Sequence, residues 1–198
     1  MKQMQQKLYL LCLVIFILII FILPIFSFQG YSIILNSISQ LGGQWHPYAW
    51  VMNIFGFMLM GFAIVVLFAD VKLRLVSKSL VLAFGVLMFL VGFFQHEPIA
   101  SYGVNNVFES NMHSLIASVM GFAVTAFAII LVFDKNGNRS YRITALVAAM
   151  VSSLFSVGLV VFPDYYGLIQ RVMFIFILCW LYFVGTSNNN SAISPSKK

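Results

Sequence analysis

One uninterrupted apolar run constrains this chain before anything else. Residues 8–28 are dominated by Leu, Ile, Val and Phe, carry no charge, and hold Pro24 near their far end. A helix covers about 1.5 Å per residue, so about 20 apolar residues cross roughly 30 Å of hydrocarbon. A cleaved signal peptide has a shorter apolar core and a small-residue cleavage site. Neither feature stands here, and the run is expected to persist as a helix. Comparable runs follow at 50–69, 76–94, 112–133, 143–162 and 168–184. The expected fold class is therefore all-α: an integral membrane bundle of six transmembrane helices. Composition enters as a check. Only 8% of residues are charged and 62% are hydrophobic, whereas a soluble domain carries about 25% charge. Lipid must solvate what water cannot.

The eleven Lys and Arg residues set the expected orientation. Lys2 and Lys7 precede the first run; Lys72, Arg74 and Lys78 lie between the second and third. Lys135, Arg139 and Arg142 lie between the fourth and fifth, and Lys197 and Lys198 close the chain. In a six-helix arrangement these share one side, the cytoplasmic one by the positive-inside rule. Both termini are then cytoplasmic and the protein sits in the cell membrane. The net charge of +6 suggests no nucleic acid, because the basic residues are spread between apolar spans. Arg171 alone falls on the outer side.

Aromatic residues suit such interfaces, since an apolar ring carries a polar tip. Tyr31, Trp45, Tyr48, Trp50, Tyr165 and Tyr166 are expected at the outer boundary, and Tyr9, Tyr141, Trp180 and Tyr182 at the inner one. Ala145, Ala149 and Ser153, with Ala148, Ser152 and Ser156, repeat every four residues, which predicts a central fifth helix in close backbone contact. The first helix, poor in small residues, is expected to face lipid. Tyr31, Ile34, Leu35, Ile38 and Leu41 share one face at helical spacing, ahead of Gly42 and Gly43. That predicts a short amphipathic interfacial helix between the first and second spans, with an irregular loop as the alternative. The transmembrane domain is expected over 1–185, and 186–198 reads as a polar, disordered cytoplasmic tail. Cys12 and Cys179 lie inside apolar runs and suggest no disulfide framework.

The polar residues that carry chemistry gather on the outer side. His46, His96, His113, Glu97, Glu109, Asp164 and Arg171 all map there. Ionisable groups near membrane depth are costly and need a reason. Glu109 and His113 are spaced to share a helical face. Arg171 is expected to be held by the outer cluster, with Glu109, Asp164 or a bound anion as partner, or else to snorkel to lipid phosphate. Asn53 and Gln170 suit a polar network between helices. His96, Glu97, Glu109 and His113 are the candidate metal ligands, although no HExxH motif or Cys/His spacing is present, so no cofactor is expected.

Three segments together resemble a known family. Asn36-Ser37-Ile38-Ser39-Gln40-Leu41-Gly42 precedes the second span, His113 opens the fourth, and Gly167-Leu168-Ile169-Gln170-Arg171 opens the sixth. They resemble the DUF998 family, small six-helix membrane proteins of bacteria and archaea without an assigned activity. The resemblance runs through essentially the whole chain by helix order. It implies a shared role for Ser39, Gly42, His113 and Arg171. Gln95-His96-Glu97-Pro98 departs from the family pattern, which often carries Phe-Pro there.

Three functions compete. One is a binding or transport protein whose outer pocket, built from Ser39, His113, Glu109, Arg171 and Asp164, holds a lipid head group or small anion. Another is a non-catalytic membrane partner or structural protein whose polar cluster locks helices together. The last is a metal-dependent membrane hydrolase using His113, Glu109 and His96. No P-loop, dinucleotide fingerprint or nucleophile elbow is present, which leans against an enzyme. Membrane lipid is the expected partner, with a small molecule or lipid as ligand.

Overall fold

A computed structural model describes residues 2–99, 104–134 and 137–190. The chain begins with α1 (Lys2–Ile22), which tightens into a 3-10 turn at Leu23–Phe26 where Pro24 removes a backbone donor. A single helical turn, α2 (Ile38–Leu41), follows. A π-helical stretch, Val51–Met58, runs directly into α3 (Leu59–Ala69). Then come α4 (Leu75–Val91), α5 (Val107–Val132) and α6 (Arg139–Val161). A 3-10 turn at Pro163–Tyr165 leads into α7 (Tyr166–Asn190). Five stretches are long and apolar enough to cross a membrane: Lys2–Phe26, Val51–Ala69, Val107–Val132, Arg139–Val161 and Pro163–Ser187. The apolar α4 is shorter, at 17 residues. Asn106 and Asn138 start α5 and α6 as N-caps, their side chains accepting from Glu109 N and Tyr141 N.

The helices form a ring in chain order. Each packs on its sequence neighbours, α7 closes back on α1, and α7 also reaches α3 across the interior. Phe16, Met60, Ile64, Phe68, Leu178 and Leu181 fill that side of the ring completely. Helices α3 and α4 come to backbone contact at Gly61. A Cβ placed on Gly61 would stand 2.6 Å from the Gly85 carbonyl oxygen and 2.9 Å from Phe89 Cα. Only glycine lets those helices meet there.

This corrects the expectation of a central fifth helix. That helix, α6, buries Tyr141, Ala145, Ala148, Ala149 and Ser152 but exposes Leu146, Met150, Leu154, Val157 and Val160. Its small residues are buried as far as Ser152; beyond it Ser153 and Ser156 are exposed, while Gly158 faces Ile169 of α7. Helix α1 exposes an apolar face, with Leu10, Leu11, Val14 and Leu18 on the surface, and also packs inward through a buried stripe of Tyr9, Cys12, Leu13, Phe16 and Ile20. Spacing close to 3.6 residues produces that stripe, and large side chains fill it as well as small ones. Tyr9, Tyr141 and Trp180 are core residues, not an inner belt. Tyr9 donates to the Leu178 carbonyl at 2.8 Å and stacks on Tyr182.

The expected interfacial helix shrinks to the four residues of α2. Ile38 and Leu41 are buried as the pattern requires, but Ile34 and Leu35 are exposed. Side chains compete with helix formation before it. Ser32 Oγ accepts from Ile34 N and Leu35 N, and Asn36 Oδ1 accepts from Ser32 N. At the other end of the chain α7 continues to Asn190, past the expected boundary at 185, and 191–198 lie outside the described residues.

Candidate functional site

The two longest segments singled out in the sequence, 36–42 and 167–171, pack directly on each other. Ser37 and Gln40 form a capping box on α2: Ser37 Oγ accepts from Gln40 N at 3.1 Å, and Gln40 Oε1 accepts from Ser37 N at 2.9 Å. Gly167 abuts the carbonyls of Ile33 and Asn36 so closely that a Cβ would collide with both. Leu168 N donates to Ile34 O at 3.1 Å, and Gln170 Oε1 accepts from Ile38 N at 2.7 Å. Gly42 faces Asn53, whose Nδ2 donates to the Gly42 carbonyl at 3.1 Å.

Arg171 completes this junction. It is fully buried. Its Nε donates to Ile20 O at 3.2 Å, and the two Nη1 hydrogens are shared among Ile33 O, Asn36 O and Gly167 O at 2.8–3.0 Å. Its Nη2 donates to Tyr31 Oη at 2.7 Å, and Tyr31 passes its own proton toward Ser37 O at 2.9 Å. Burial raises the Tyr31 pKa against the opposing pull of Arg171, so the phenol is a neutral dipole and not a counter-anion. The guanidinium is thus stabilised by carbonyl dipoles, and no carboxylate is among its partners in the described residues. The planar fork supplies enough donors for so many acceptors, where an ammonium would not.

The Glu109–His113 pair grips a different segment. Both lie in the first turns of α5 and share a face, as their spacing predicts. Glu109 Oε2 accepts from Gln95 N at 3.2 Å, and His113 Nδ1 meets Phe94 O at 2.8 Å. A carbonyl only accepts, so Nδ1 carries the proton and Nε2 of the neutral ring is an acceptor. That Nε2 is buried and has no partner among the described residues. The His96 ring stands edge-on to His113, centroids 5.2 Å apart. The neighbouring loops are stitched together by Gln44, which donates to Asn106 O at 3.0 Å, accepts from Asn106 N at 2.7 Å, and gives its own N–H to His96 O.

Between these two clamps lies a cavity of about 670 Å³. Ser39, His96, His113, Tyr166 and Gln170 line one end. Phe57, Phe84, Met120, Met173, Phe174 and Ile177 form apolar walls. Ser114, Ser118 and Phe122 of α5 and Ser153, Ser156 and Val160 of α6 also line it, and all six are exposed. The mouth therefore opens sideways between α5 and α6. Ser153 and Ser156 of α6 contribute to the void, because their small side chains leave space that larger ones would fill. Ser118, Thr125 and Ser156 turn their hydroxyl protons back to carbonyls of their own helices, which leaves lone pairs free. None of the described lining residues is Lys, Arg, Asp or Glu.

The expected outer cluster thus separates. Ser39 and His113 line the cavity; Arg171 and Glu109 belong to the two clamps. Asp164 is exposed in the turn before α7. Arg171 meets neither Glu109 nor Asp164, which corrects the expected ion pair. The chain supplies backbone carbonyls to the guanidinium before any carboxylate reaches it. Of the candidate metal ligands only His96 and His113 adjoin; Glu97 is exposed and Glu109 is engaged by Gln95 and Asn106. Among the described residues no group of three His, Cys, Asp or Glu gathers. Sequence reasoning missed Tyr31 as the Arg171 partner and Tyr166 as a cavity residue. Both carry the signature of interfacial aromatics, and nothing local distinguishes them.

A chain whose described residues are helical, with several apolar helices of membrane-crossing length, fits a multi-pass membrane protein. It belongs to the DUF998 family, described as a protein of unknown function, whose model matches residues 10–187. No curated protein and no solved structure matches the chain.

Proposed function

We propose that this is a lipid-binding protein of the cell membrane that crosses the bilayer six times, with both termini cytoplasmic, and admits a lipid sideways between α5 and α6. The head group would rest against Ser39, His113, Tyr166 and Gln170. The observation that carries this reading is the cavity: one polar end, apolar walls, and a mouth on the flank of the bundle. Volumes of about 300–1,000 Å³ with few convergent polar groups are typical of ligand sites. The small-anion alternative loses its motive, since Arg171 spends its donors on carbonyls and no other cation lines the space. In the hydrolase alternative Glu109, on the His113 face, is held by Gln95 and Asn106 and does not gather with His96 and His113 among the described residues. The helix-locking alternative describes Arg171 and its partners well, but it leaves the cavity unused.

The test is photo-crosslinking of the full chain in bilayers containing a lipid with a photoreactive acyl chain, with adducts mapped by mass spectrometry. Adducts should concentrate on 114–125 and 152–160. Gly121 lines the cavity and has open space where a Cβ would stand. Gly121→Trp should therefore suppress those adducts, whereas Leu11→Trp on the exposed flank of α1 should not. Labelling spread evenly over all exposed helices, and indifferent to Gly121→Trp, would sink the reading.

A further inference from the structure

Helix α7 lays one face along the cavity: Tyr166, Gln170, Met173, Phe174 and Ile177 line it at helical spacing. Beyond Gln170 that face is apolar down to Ile177, about 10 Å further along the axis. Gln170 stands where the polar part gives way to the apolar one. Its Oε1 accepts from the N–H of Ile38, the first residue of α2, at 2.7 Å. A helix supplies no partner of its own for that N–H, and turning the amide round would set one donor against another, so its orientation is fixed. The Nε2 hydrogens are then aimed elsewhere. They meet no acceptor among the described residues, and Nε2 is not one of the sealed-off unmatched atoms, so it keeps open surface. Gln170 is otherwise buried, and the space it borders is the cavity. A group that can only donate is thus presented where the apolar wall begins.

A molecule complementary to this face carries an acceptor oxygen at the head of a hydrocarbon chain. An ester-linked acyl chain has that layout, because its first carbon bears the carbonyl. An ether-linked chain has no carbonyl, and its single ether oxygen is a poorer acceptor. Resting on the lipid-binding reading, we infer that Gln170 Nε2 donates to an acyl carbonyl and makes the cavity selective for ester-linked over ether-linked lipid chains. The rest of the chain runs down α7 past Met173, Phe174 and Ile177. The bond from Ile38 N holds the amide in place, so the donor is set before the lipid arrives and little ordering is left for binding to supply.

Native mass spectrometry of the full chain in detergent tests this, with phosphatidylcholine and phosphatidylglycerol each titrated as the dioleoyl diester and as the diether of equal chain length. For each head group that binds, the diester should bind about three- to tenfold more tightly than the diether, the effect of one buried hydrogen bond. Gln170→Met, similar in length but without an N–H, should remove that preference. A Gln170→Met chain that weakens diester and diether equally, and keeps their ratio, would reduce Gln170 to a support for α2 and overturn the assignment. If Gln170→Met does not fold, the ratio on the unaltered chain still decides. Equal binding of diester and diether, with both lost in Gly121→Trp, would overturn carbonyl recognition and leave the lipid cavity standing. Failure of all these lipids to bind in a Gly121-dependent way would overturn both.

Discussion

Arg171 lies deep between helices yet has no acidic partner. What makes this tolerable is the number and direction of the carbonyls around it: four backbone oxygens and the Tyr31 hydroxyl. Each hydrogen bond to a charged group contributes about 1.5–3 kcal/mol, and each buried polar group left unmet costs about 1–3 kcal/mol. A lysine in its place would offer one compact ammonium and could not span from Ile20 O to Tyr31 Oη. Arg171→Lys is therefore expected to lower stability in detergent by on the order of 2–4 kcal/mol. Glu109 supports a separate segment through Gln95 N. Arg171→Ala and Glu109→Ala should accordingly be additive in thermal unfolding to within about 0.5 kcal/mol. A double variant much less damaged than the sum would show that the two side chains share an interaction after all.

Among the helices, small residues do two jobs that look alike on paper. Gly61 and Gly85 hold α3 and α4 at backbone contact, while Gly121, Ser153 and Ser156 border empty space. Alanine scanning separates these. Gly61→Ala should markedly depress the melting temperature, since its Cβ would fall on the Gly85 carbonyl oxygen and the Phe89 backbone, which cannot rotate away. Gly121→Ala should be neutral or slightly stabilising, by up to about 1 kcal/mol, because helix propensity improves and nothing stands in the way. Equal damage at both positions would refute the packing described for α5. Spacing alone predicted close packing for α6. A repeat of small residues shows that a face is thin, not whether a neighbour comes to meet it.

For the whole molecule the remaining question is how the ring sits in the bilayer. The distribution of Lys and Arg predicts that reporter fusions after Lys78 and after Arg142 read cytoplasmic, and that fusions after Gly43 and after Val104 read external. A cytoplasmic signal at Gly43 would end the six-crossing arrangement. The same experiment bears on the cavity. With Gly43 external, His113, Ser39 and Gln170 lie toward the outer face, and the α5–α6 mouth opens toward lipid of that leaflet.

Much of this was legible in the chain because it is decided locally. Runs of apolar residues long enough for a helix to cross hydrocarbon leave few alternatives to an all-helical membrane protein, and 36–42 and 167–171 carried the resemblance to the DUF998 family. The buried pair Ile38 and Leu41, and the shared face of Glu109 and His113, follow from helical period alone. What the tertiary structure decided were the relations between distant segments. Tyr31 and Arg171 are joined by a hydrogen bond across 140 positions, and Gln170 and Ile38 across 132. No local pattern says that a guanidinium will meet carbonyls and not carboxylates. Nor does one say that Ser153 and Ser156 border a void and not a helix. Both outcomes depend on which helices close the ring on its α1, α3 and α7 side and which, on the α5 and α6 side, leave it partly unfilled.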